Sequence, residues 1–128
     1  MALLAFQAET DIEHQIVKAR DGDLPGDELM LQMGDATLYI PSTAEVQTDG
    51  SGFAPVLMDQ EGAPLVVVFT AMSRQPKDMA GYMVQVNGRQ FFLRLPAGYG
   101  VVFNPGYDAQ MLLPPDGAAA LKEDLRAG

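Results

Sequence analysis

Ala63-Pro64-Leu65-Val66-Val67-Val68-Phe69-Thr70-Ala71 is the longest apolar run in the chain, rich in β-branched residues and preceded by a Gly62-Ala63-Pro64 turn signal. A run this short and this apolar reads as a central strand covered on both faces. Other segments are then elements that pair with it or lie on it. Just before it, Phe53–Met58 reads as a strand, and Asp59-Gln60-Glu61-Gly62 as the connection of an antiparallel hairpin.

Working outward, Thr10-Asp11-Ile12-Glu13 has the form of a capping box, with Thr10 as N-cap and Glu13 at the third helical position. Ile12, Ile16 and Ala19 follow at helical spacing, so a helix is expected over residues 11–20, with His14 pointing to solvent. Leu24–Gly34 reads as a second helix, with Pro25 in its first turn and Gly34 as its C-terminal cap. Thr37–Pro41 is a short strand, and polar Ser42–Gly52 a surface loop. Met72–Ala80 suits a turn or short helix, and Tyr82–Val86 a fourth strand. Asn87-Gly88-Arg89-Gln90 is ambiguous. Asn87 can cap a helix that buries Phe91, Phe92 and Leu95, but Asn-Gly is also a strong hairpin signal. Val101–Phe103 and Met111–Leu113 read as strands, and a helix runs from Pro114 to about Arg126. The pattern predicts a mixed α/β (α+β) domain: a single mixed sheet of about five or six strands with helices packed on it.

Composition narrows the function classes. The chain has 128 residues, enough for one domain with a real core. Its formal net charge is −9, which argues against nucleic acid and anionic membranes as partners. There is no cysteine and only one histidine, so disulfides, thiolate chemistry and Cys or His-cluster metal sites are excluded, and no metal or cofactor is expected. Met1–Phe6 lacks a basic n-region, and no stretch approaches the ~18 apolar residues of a membrane span. These features imply a cytoplasmic protein. No Walker loop, dinucleotide fingerprint or nucleophile elbow is present, and no carboxylate pair has a matching base or nucleophile, so no catalytic residue is expected.

Charge is unevenly placed: residues 1–72 carry a net −10, residues 73–94 a net +3 and residues 95–128 a net −2. Arg74, Lys77 and Arg89 in the basic segment suggest a surface for an acidic protein partner or a small anion. Asn104-Pro105-Gly106-Tyr107 matches a type II turn at a strand end, with Asn104 bonding back to the turn backbone, and Tyr99 and Tyr107 flank that strand as candidate interface anchors. The expected interaction surface is therefore Arg74, Lys77, Arg89, Tyr99, Asn104, Pro105, Gly106 and Tyr107. A structural turn and ordinary solvated charges are the plainer readings of the same residues.

Read in order, Thr37-Leu38-Tyr39-Ile40-Pro41, Leu65-Val66-Val67-Val68-Phe69-Thr70-Ala71, Gly88-Arg89-Gln90-Phe91-Phe92, Val101-Val102-Phe103-Asn104-Pro105-Gly106 and Leu113-Pro114-Pro115-Asp116 resemble the N-terminal domain of the SseB-like family over about residues 25–125. The matching family patterns are TLYVP, LPVFTS, GRDLL, LVLNPG and LPPE. This chain departs from them with Ser73-Arg74 where an acidic residue is usual and Gln90 where Asp is common. The resemblance implies a helix after Gly88, one such domain over residues 1–128 and no second, C-terminal domain of the kind larger members carry. It implies no catalytic residues. The family name is linked to enhanced serine sensitivity, and the group is described in connection with type III secretion. The function expected is a non-catalytic interaction or accessory module, with two alternatives: a small-molecule or anion-binding domain at the strand-end loops, or an enzyme with an unidentified carboxylate site.

Overall fold

A computed structural model describes residues 3–49 and 51–127. Two helices come first, α1 (Asp11–Arg20) and α2 (Gly26–Met33), then β1 (Thr37–Ser42), β2 (Leu57–Gln60) and β3 (Ala63–Val68). A 3-10 turn (Met72–Arg74) leads through β4 (Tyr82–Asn87) into α3 (Gly88–Arg94), β5 (Gly100–Phe103), β6 (Met111–Leu113) and α4 (Pro115–Ala127). None of the described helices is long and apolar enough to cross a membrane.

The expected single sheet is two sheets. β2-β3-β5-β6 form a four-stranded mixed sheet, and β1-β4 a separate antiparallel ribbon. The reason lies in one edge of β3. Val67 N–H donates to Val56 O (3.0 Å), and two residues on Phe69 and Tyr39 exchange both backbone bonds (2.8 and 2.9 Å). β2 and β1 thus occupy successive lengths of the same edge, and among the described residues β1 is joined there by two isolated bridges, Tyr39 to Phe69 and Ser42 to Pro55, rather than by a ladder. The other edge of β3 pairs in parallel with β5. Strand periodicity reports which face a residue takes, not which neighbour claims an edge.

Alternate residues of β3 enter two cores. Val66 and Val68 join Val101 and Phe103 beneath the helices, packed with Ile12, Ile16, Leu29, Met33, Phe92 and Leu121. Leu65, Val67 and Phe69 join Val102 on the opposite face, where Tyr39, Val56, Met79 and Tyr107 pack over them. The run is unbroken because neither face of the strand meets water.

β2 begins later than Phe53, because Pro55 offers no N–H to a ladder. The hairpin turns tightly: Glu61 and Gly62 take φ of 52° and 86°, the two positive values of a type I′ turn. Glutamate is a poor fit for the first of them. Glu61→Asn is expected to gain about 0.5–1 kcal/mol, read as a rise in Tm of about 2–4 °C. The loop expected over Ser42–Gly52 is found from Thr43 onward for its described residues; Ser42 instead ends β1 and is fully buried, and Gly50 lies outside the described residues. Asn87 caps a helix, its Oδ1 accepting from Gln90 N–H (3.3 Å), and no hairpin forms there. Gly34 ends α2 with a right-handed φ of −62° rather than a left-handed one. What its position demands is room: an added Cβ would sit 2.9 Å from Leu125 Cδ2.

Candidate functional site

The parallel strands β3 and β5 both run toward the N-terminus of α1. In open α/β sheets the crevice beyond such strand ends is the usual ligand position. Here it is filled. Glu13, Thr70, Arg74 and Asn104 meet there, exposed by 0%, 0%, 5% and 0%. Sequence position explains each. Thr70 and Asn104 follow β3 and β5, Arg74 closes the 3-10 turn, and Glu13 lies three residues before Ile16, on the margin of the buried face of α1.

The Glu13 carboxylate is saturated. Oε1 accepts from Arg74 Nη2 (2.7 Å) and Glu9 N–H (2.9 Å), and Oε2 from Arg74 Nε (3.0 Å) and Thr70 Oγ1 (2.5 Å). The two-pronged contact from Arg74 is the strong form of the pair. Burial pushes the Glu13 carboxyl up. The hydrogen bonds from Arg74, Thr70 and the Glu9 N–H, with the guanidinium charge, outweigh burial and hold it below its ordinary value. The hydrogen bond to Glu13 pushes Arg74 up further, against burial. The capping box is thereby altered: Thr10 Oγ1 accepts from Glu13 N–H as expected, but Glu13 reaches the N–H of Glu9 rather than that of Thr10.

The network ties three segments together. Asn104 Nδ2 donates to Thr70 Oγ1 (2.9 Å) and Asn104 Oδ1 accepts from Thr70 N–H (3.2 Å), clamping the ends of β3 and β5. The Arg74 guanidinium lies 4.2 Å from the Phe6 ring centroid and 5.0 Å from that of Tyr107, and it donates to Gln7 O. Tyr107 Oη donates to Arg74 O (3.1 Å). Leu4 exchanges backbone bonds with Gly106 O and Asp108 N–H (2.9 and 2.8 Å). The N-terminal segment, the 3-10 turn and the 104–108 loop are thus one anchored surface. It carries Leu3, Leu4 and Met72, exposed by 57%, 60% and 63%.

The expected site residues separate. Arg74 is a core residue, because burying Glu13 demands a countercharge. Asn104 and Pro105 are buried as well, and Asn104 spends its side chain on Thr70 rather than on its own turn. The turn itself is as expected: Tyr107 N–H donates to Asn104 O (3.2 Å), with Gly106 at φ 91° and exposed. Asn104 adds a positive φ of 53°. Tyr107 is half-buried and exposed Lys77 lies beyond the 3-10 turn. Arg89 is the second residue of α3, its N–H bonded to Gly34 O (2.9 Å), on the helical side. Tyr99 lines a different feature, a shallow cleft of about 220 Å³ between residues 95–99 and α4. The basic segment is therefore not a single patch. Sequence reading assigned Glu13 to a cap alone; its spacing from Ile16 was the sign that it also faces inward.

Among the described residues, no group of three or more His, Asp or Glu side chains could hold a metal ion. A family model described as SseB protein N-terminal domain matches residues 7–120. No curated protein and no solved structure matches the chain.

Proposed function

The chain belongs to the SseB N-terminal domain family, and on that premise we propose that it is a non-catalytic interaction module that docks a partner protein at the ends of β3 and β5. One observation carries this reading. Leu3, Leu4 and Met72 stand exposed on segments that Arg74, Phe6 and Tyr107 fasten from below. Apolar side chains on a preordered support are what an interface core requires, since little ordering entropy remains to be lost on binding.

Local charge shapes the partner. Arg74 is neutralised by Glu13 and lies 3.5 Å from Glu9, so it offers no cation to an acidic protein. Around the apolar residues stand Glu9 and Asp108, with side chains exposed by 51% and 45%, and Arg20 is already paired to Asp108 at 3.2 Å. The partner that fits presents apolar anchors with cationic residues at their rim.

Pull-down from the native host with cross-linking and mass spectrometry tests this. A partner bound by the wild type is expected to bind Leu4→Glu and Met72→Glu about tenfold less or weaker still, while Tyr99→Ala, which alters the separate cleft, binds normally. Retention by both Glu variants, or no partner at all, overturns the reading.

A further inference from the structure

β4 leaves one edge of the β1–β4 ribbon open. The bond pattern shows what that edge offers. Tyr39 turns its backbone groups to Phe69, so Leu38 and Ile40 face β4, opposite Val86 and Val84. Gly88 N–H donates to Ala36 O (2.9 Å), in the same phase. The N–H and C=O of Met83 and Gln85 therefore point away from β1. Among the described residues nothing bonds to them.

Soluble proteins protect such edges with charges, proline, bulges or shortness. β4 has none of these. It is Tyr-Met-Val-Gln-Val-Asn, six residues paired to β1 without interruption. Nor is a carboxylate close in sequence, for no Asp or Glu occurs between Asp78 and Asp108. A charged occupant has no counterpart along this strand. An uncharged strand of equal length and matching bond phase has one, and the chain itself supplies it.

We propose that β4 is a strand-addition site for a second copy of this chain, joined antiparallel about a two-fold axis at Gln85. In that register Gln85 faces Gln85 of the partner subunit, outward groups meeting outward groups, and Met83 faces Asn87 of the partner subunit, whose N–H points outward while its C=O, as the N-cap's, accepts the first bond of α3. Val84 faces Val86 of the partner subunit, a β-branched pair of partly exposed residues. No like charges oppose each other within the strands. The two ribbons become one four-stranded sheet, closed by symmetry. This goes beyond the docking reading and uses a different surface, so either can fail alone.

The chain has no cysteine, which permits a direct test. Residues directly opposite in a hydrogen-bonded antiparallel pair have Cα atoms about 5.5 Å apart, within disulfide reach. Mild oxidation of Gln85→Cys is expected to give a disulfide-linked dimer, while Asp59→Cys on the exposed hairpin stays monomeric. Sedimentation velocity of the wild type should show a monomer–dimer equilibrium that tightens with added salt, because each copy carries −9. Gln85→Lys sets like charges across the axis and is expected to raise the dimer dissociation constant at least about tenfold, with an unchanged circular dichroism spectrum. A wild type that stays monomeric at high concentration in high salt overturns the proposal. So does a dimer that survives Gln85→Lys, or equal cross-linking of the two cysteine variants.

Discussion

Arg74→Ala is expected to destabilise the fold by about 3–5 kcal/mol, the penalty for stripping a buried charge of its partner. Glu13 is fully buried and two of its four hydrogen bonds come from this guanidinium. The substitution also removes the cation stacked against Phe6 and Tyr107 and the donor to Gln7 O, so the N-terminal segment loosens from the 104–108 loop. Against a typical total of about 5–15 kcal/mol, a loss of this size is readily measured as a lower urea midpoint. Arg74→Lys should recover little, since a lysine cannot supply the fork to both carboxylate oxygens. The double variant Glu13→Gln with Arg74→Met should be more stable than Arg74→Ala, because it buries no unpaired charge. A double variant no better than the single one would show that packing, not charge, dominates.

The same pair sets a pH dependence. In the folded protein the Glu13 carboxyl titrates below its ordinary value, whereas in the unfolded chain it titrates near ~4.3. The folded state therefore binds that proton less readily. The pair's contribution is complete above the unfolded value and is lost as pH falls through the folded one. Wild type and Glu13→Gln should consequently converge in stability under acid, separate as the pH rises from the folded value, and hold their full difference above about pH 5. Parallel stability curves for the two would refute this.

Gly88→Ala is expected to cost about 3 kcal/mol or more, measured by the same denaturant titration. The first residue of α3 sits against the end of α2 so closely that an added Cβ would lie 1.8 Å from Met33 O and 2.9 Å from Met33 C. Both are backbone atoms, so no rotamer change relieves the clash. Moving α3 away would break the bonds from Gly88 N–H to Ala36 O and from Arg89 N–H to Gly34 O, each 2.9 Å. Phe91 and Phe92, which α3 inserts into the core, would shift with it. Gly26→Ala is the control, because a Cβ there meets nothing within 4 Å. Equal effects at the two positions would rule out the contact as the cause.

Much of this architecture was legible along the chain because it is local. Thr10 and Asn87 cap α1 and α3 through bonds made three residues on, to Glu13 and Gln90. The unbroken apolar run and short length of β3 announced a strand buried on both faces, and Asn104-Pro105-Gly106 carried its own turn. The reading failed where an outcome depended on partners distant in sequence. Arg74 looked like a surface cation because the acid that claims it lies 61 positions away, and Asn104 looked like a turn residue because Thr70 is 34 away. Ser73-Arg74 and Glu13 carry no mark of each other in one dimension.

What the sequence by itself determined is the set of helices and strands, the acidic surface and the family, since these follow from short-range periodicity, capping and composition. What only the tertiary structure decided is which edges pair and which charges are buried. β1 and β2 share one edge of β3, β4 keeps an open one, and Glu13 draws Arg74 out of solvent. Those outcomes follow from competition for a limited number of backbone edges and from the high free energy of an unpaired charge in a core, and both operate between residues that meet only after the chain has folded.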